Sequence, residues 1–103
     1  MNDRLTLRVG GLVVAKQSTA VCDAGERGVC YERYTLDNRP GWSILFESGR
    51  HDGFSSEEVA LMLEITGEVC PAVADYEFTS VMRLMSDFRH GRFGAAFPPE
   101  HGA

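Results

Sequence analysis

Apolar and polar residues alternate in the first half of this chain and recur every three to four residues in the second, with the crossover near Phe54. Leu5, Leu7 and Val9 alternate with Thr6 and Arg8, the period of two that marks a half-buried strand. Gly10 and Gly11 interrupt as a turn or bulge, residues 12–15 resume, and 18–22 extend the strand character. Residues 23–28 read as a loop from their turn formers. Residues 29–36 and 42–47 are rich in aromatic and β-branched side chains, and Asp37, Asn38, Pro40 and Gly41 lie between them. This predicts an antiparallel hairpin, followed by a loop over 49–53.

From Phe54 the grammar is helical. Ser55 and Glu58 fit a capping box, and Phe54 with Val59 fits a hydrophobic staple. The spacing predicts a helix over 55–66, stopped by Gly67, with Val59, Met62, Leu63 and Thr66 turned to the core. Val81, Leu84, Met85 and Phe88 fall at i, i+3, i+4 and i+7, which predicts a second helix over 79–90 closed by Gly91. Pro71 opens a short helical turn between them. Strands first and helices last imply an α+β domain over 1–97, an antiparallel sheet with two or three helices on one face, and a flexible tail over 98–103. The predicted core comprises Leu45, Val59, Met62, Leu63, Val81, Leu84, Met85 and Phe88.

Composition narrows the function. A length of 103 residues, 44% hydrophobic and 24% charged, suits one globular domain with a single modest core. The formal charge of −5 argues against direct nucleic-acid binding, which needs a positive face. Cys22, Cys30 and Cys70 cannot all pair within one chain, and their spacing matches no zinc site, so the sequence predicts neither a metal nor a cofactor. No apolar run has the length of an export signal or a membrane span. With an odd number of cysteines, this points to a reducing cytoplasm.

The charges are strongly polarised. Between residues 51 and 82 there is no Lys or Arg, yet Asp52, Glu57, Glu58, Glu64, Glu68, Asp75 and Glu77 are present. Such a block is either a solvated helix surface or a face that attracts a basic partner. On the predicted first helix, Leu61 projects away from the core face, between Glu57 and Glu64 on the wheel. With Ile65 beside it, next to Glu58, it is then part of an apolar pair ringed by acids, or a residue buried beneath the second helix. Glu57, Glu58, Leu61, Glu64 and Glu68 are therefore the candidate partner-binding residues. Arg50, His51, Arg83, Arg89 and Arg92 form a secondary candidate surface, able to hold an anion or to pair with the molecule's own carboxylates.

Other constellations carry less. His51 and Asp52 resemble an oriented base, but no nucleophile accompanies them. Cys70 before Pro71 suits either a reactive helix cap or a buried thiol. Tyr31, Tyr34, Trp42 and Phe46 form either a stacking platform for bases or part of the core. In size, acidity and lack of a catalytic signature, the chain resembles small inhibitors carried by mobile elements, such as the anti-CRISPR proteins. That resemblance implies a Cas effector or another nuclease with a basic channel as partner. The expected function is non-enzymatic binding and inhibition of a basic protein. The alternative is a small ligand- or nucleic-acid-binding module built on the hairpin aromatics and arginines.

Overall fold

The computed structural model describes residues 7–98. Five strands form one antiparallel sheet: β1 (Gly11–Ala15), β2 (Arg27–Leu36), β3 (Arg39–Phe46), β4 (His51–Ser55) and β5 (Leu63–Val69). Their order across the sheet is β4-β3-β2-β1-β5. Strands β1 to β4 are a meander, and the short helix α1 (Ser56–Met62) carries the chain from one edge to the other, where β5 pairs with β1. Helix α2 (Val81–Arg89) and a 3-10 turn at Gly94–Ala96 follow.

The hairpin forms as its sequence predicts, but with a tighter turn. Asp37 and Asn38 alone make the connection, at φ values of 53° and 64°. Both lie in the left-handed region, which matches the right-handed twist of the flanking strands and suits these two residue types. Strand β3 therefore begins at Arg39, and Pro40 and Gly41 lie inside it, opposite Thr35 and Tyr34.

Alternation along the strands divides the interior in two. Val13, Ala15, Cys30, Trp42, Ile44, Phe46 and Phe54 point to one face, where Leu7, Cys22 and Val59 of α1 cover them. Val29, Tyr31 and Leu45 point to the other, beneath Cys70, Val73, Tyr76, Leu84, Phe93 and Ala96. A bulge after Cys30 turns Tyr31 and Glu32 to the same face, because the register with β3 slips there by one residue. The indole of Trp42 is buried, and its N–H donates to the Leu7 carbonyl at 2.9 Å.

Several expectations are corrected. Residues 7–10 of the predicted first strand are not extended sheet, and Leu5 and Thr6 lie outside the described residues. Residues 18–22 belong to the loop between β1 and β2, not to a strand. The predicted loop over 49–53 is a tight turn followed by β4. The two helices pack on opposite faces, not on one, since Val59 and Leu84 belong to separate clusters. Leu45, Val59, Leu63 and Leu84 are core residues, whereas Met62, Met85 and Phe88 are half-buried, and Val81 is 47% exposed.

The largest departure is at the first helix. The capping box is present, with Glu58 N–H donating to Ser55 Oγ and Ser55 N–H to Glu58 Oε1. However, α1 ends at Met62, and Leu63 is already extended at φ −126° and ψ 144°. Two tertiary bonds and the last helical one take up the carbonyls. Lys16 N–H donates to Met62 O at 2.7 Å, Lys16 Nζ to Ala60 O at 3.0 Å, and Leu63 N–H closes onto Val59 O. Gly67, at φ +87°, lies within a bulge of β5 and does not cap a helix.

Candidate functional site

The acidic candidates fall on two elements. Glu57 and Glu58 occupy the first turn of α1, where the helix dipole favours negative charge. Glu64 and Glu68 lie on β5 instead of the same helix, so the predicted single helical face does not exist. Leu61 is 63% exposed, which excludes its burial beneath α2.

The fold still brings part of this set together. A groove of about 550 Å³ runs between α1 and the start of β5. Val59, Ala60, Leu63 and Ile65 give it an apolar lining, and Glu57 and Glu64 line it from the two elements. Lys16 also lines the groove, but its ammonium caps the C-terminal end of α1 through the Ala60 carbonyl. This cation is thus committed to the helix terminus, where the dipole favours it. Glu58 points elsewhere, toward a second groove at the hairpin tip, and its carboxylate serves the capping box. Glu68 lies farther along β5, within the bulge between Ile65 and Val69. Its N–H donates to Thr66 Oγ1, and the Thr66 hydroxyl donates to Leu12 O.

The side chains of β5 separate by chemistry. Leu63 and Ile65 sit opposite Ala15 and Val13, facing the first cluster and the groove. Glu64 sits opposite Val14 on the other face. One surface of this edge strand is therefore apolar and the other acidic.

Two arginines of the secondary surface are paired internally. Arg83 reaches Asp87 at 3.4 Å and Arg92 reaches Asp75 at 3.5 Å. Both guanidinium groups lie over the ring of Tyr76, at 5.9 and 5.2 Å from its centroid. The Tyr76 hydroxyl donates to Asp87 Oδ2 at 2.7 Å. Burial, then the carboxylate it bonds, pushes the Tyr76 phenol up to about 12. Arg89 is exposed at the end of α2, whose Phe88 ring lies against Gly49 in the turn that leads to Arg50 and His51. Arg50 Nε contacts the Ser48 hydroxyl in the β3–β4 turn, and the His51 ring meets Tyr31 edge-on at 6.4 Å.

The groups singled out for chemistry are packing groups. Cys70 is 3% exposed and Cys30 fully buried, and burial pushes the Cys30 thiol up to about 12. Ser43, 7% exposed, lies beside Tyr31 and Glu32, and its hydroxyl donates to Glu32 Oε1 at 3.1 Å. The hairpin aromatics do not form one platform. Trp42 and Phe46 face the first cluster and Tyr31 the second, while Tyr34 lies over Gly41 and Gly53. Among the described residues, no group of three or more His, Cys, Asp or Glu side chains is arranged to hold a metal. No helix is long and apolar enough to cross a membrane.

Sequence reading missed Lys16 and Ala60 as groove residues, and placed Ile65 beside Leu61 on a helix. A signal was present: Leu63 and Ile65 alternate with Glu64 and Thr66 at period two, within a segment that also fits a helix. Compared with protein-family models, curated proteins and solved structures, the chain matches none.

Proposed function

We propose that this chain is a non-enzymatic binding protein that engages a basic protein through the α1–β5 groove, and that its target is a nucleic-acid-processing nuclease, with CRISPR effectors the first class to test. The observation that carries this reading is the groove itself. An apolar floor of Val59, Ala60, Leu63 and Ile65 is bordered by Glu57 on α1 and by Glu64 at the edge of β5, with Leu61 exposed on the same helix. The floor supplies desolvation energy, while the carboxylates select a cationic partner and speed its encounter. A nuclease channel built to hold phosphate offers the complementary charge, so occupying it excludes the nucleic acid. The dispersed aromatics and internally paired arginines give the ligand- or nucleic-acid-binding alternative less support.

The test uses purified CRISPR nuclease effectors, with target cleavage as readout. The chain should inhibit one of them, and inhibition should weaken as salt shortens the Debye length from ~10 Å at 0.1 M to ~3 Å at 1 M. Glu57→Lys combined with Glu64→Lys should weaken inhibition by about tenfold or more, equivalent to about 1.4 kcal/mol. Glu77→Lys, on an exposed residue remote from the groove in sequence and fold, should leave it unchanged. Inhibition insensitive to the double variant, with folding intact by circular dichroism, would remove the groove from the interface. Absence of inhibition across the effector classes would remove the proposed target.

A further inference from the structure

The free edge of β5 adjoins the groove, and its pattern specifies what can lie along it. Among the described residues, β5 pairs only with β1, on one side. Lys16 N–H donates to Met62 O, so bonded and non-bonded pairs alternate from there along the ladder. Val14 and Glu64 then exchange their backbone bonds, and the N–H and C=O of Ile65 and the C=O of Leu63 turn outward. These unpaired groups form a template for another strand. Beside them, the α1–β5 groove opens on the face of Leu63 and Ile65, and Glu64, which borders the groove at the strand edge, alternates to the opposite face.

Resting on the reading above, we infer that the partner contributes an extended segment that adds to β5 as a sixth strand, with apolar and basic residues in alternation. In antiparallel addition, the residue opposite Ile65 makes the bonded pair and sends its side chain into the apolar groove. Its two neighbours lie on the opposite face, one of them beside Glu64, where a Lys or Arg meets opposite charge. The same pattern disfavours a second copy of this chain. Two β5 edges paired with each other would bring the two Glu64 carboxylates onto one face. The bulge at Gly67 limits the template to the start of β5.

Three acetylated, amidated peptides of about nine residues test this against the full chain. The first alternates Val and Lys; the second has the same composition in two blocks; the third is the first with two valine amides N-methylated. The alternating peptide should bind about tenfold more tightly than either of the others, since the blocked peptide mismatches the faces and the methyl groups remove backbone donors. It should also slow hydrogen exchange at Ile65. Equal binding of the blocked peptide, lost with Glu57→Lys and Glu64→Lys, would overturn strand addition and leave the acidic groove standing. Unchanged binding after N-methylation, protection at β4 instead of β5, or a dimer of the chain in sedimentation would also overturn it. Failure of all three peptides, with effector inhibition still sensitive to the groove variants, would refute the extended segment alone.

Discussion

Cys30 shows what burial does to a single ionisable group. Its thiol is fully buried under the first cluster, and the pKa rises from an ordinary 9.0 to about 12 because the thiolate loses its hydration there. The folded state thus holds the proton more tightly than the unfolded chain. Stability from this group is complete below about pH 9 and is lost as pH rises toward 12. The gap corresponds to on the order of 4 kcal/mol. Tyr31, also raised to about 12 by burial, adds to the loss once pH passes 10. Urea midpoints measured across this range should fall steeply, and Cys30→Ala should flatten the portion between about pH 9 and 10 where the tyrosine does not yet contribute. A slope unaffected by that change would mean that the thiol is open to solvent. The residue type was legible as a buried small apolar group, but which face it occupies depends on strand alternation in a sheet the sequence only partly outlines.

Among elements, the link between β1 and the C-terminal segment rests on one glycine. Gly10 has φ +91°, its N–H donates to Cys30 O, and its carbonyl accepts from Cys70 N–H. A Cβ there would come within 2.8 Å of the Ala74 Cα and 3.1 Å of the Cys70 carbonyl oxygen. Those are backbone atoms and cannot swing aside. Gly10→Ala should therefore cost at least about 2 kcal/mol, from left-handed strain together with overpacking. Gly91→Ala, at φ +86° with nothing within 4 Å, should cost only about 1–2 kcal/mol from the backbone alone. Chemical denaturation of the two variants checks the difference, and equal losses would mean that Gly10 does not touch the C-terminal segment. The Gly10-Gly11 pair was recognisable as an interruption of the strand pattern. Its contact with residues 70–74 was not, because that contact spans most of the chain.

For the molecule as a whole, the sheet is a partition with a separate core on each side. The face holding Val29, Tyr31 and Leu45 is covered by residues that follow β5, with Leu84 fully buried among them. Leu84→Ala should cost about 2–5 kcal/mol through lost burial and a residual cavity. Because α2 completes a core and is not an appendage, the loss should appear in a single cooperative transition, with fluorescence of Trp42 on the opposite face changing at the same denaturant concentration as the far-ultraviolet dichroism. Separate transitions for the two probes would show that the C-terminal layer unfolds independently. Charge is distributed on this larger scale as well. Within the acidic block read from the sequence, Asp75 pairs with Arg92, while Glu57, Glu58, Glu64 and Glu68 are carried by α1 and β5.

The sequence by itself determined the elements whose causes are local. The Asp37-Asn38 hairpin arises from two residues that tolerate positive φ, the start of α1 from the Ser55–Glu58 box, and α2 from a Ser80 cap and the spacing of Leu84, Met85 and Phe88. Helical geometry places Leu61 away from Val59, but its exposure follows from α2 packing on the opposite face of the sheet. Tertiary structure decided where α1 ends. Residues 63–65 fit both a helix of period 3.6 and a strand of period two, and Lys16, more than forty residues away, resolves the tie by bonding the Met62 and Ala60 carbonyls while β1 offers Leu63 a pairing edge. That long-range pairing moved Glu64 and Glu68 from a helix to a sheet edge, put the two helices on opposite faces, and opened the groove between α1 and β5.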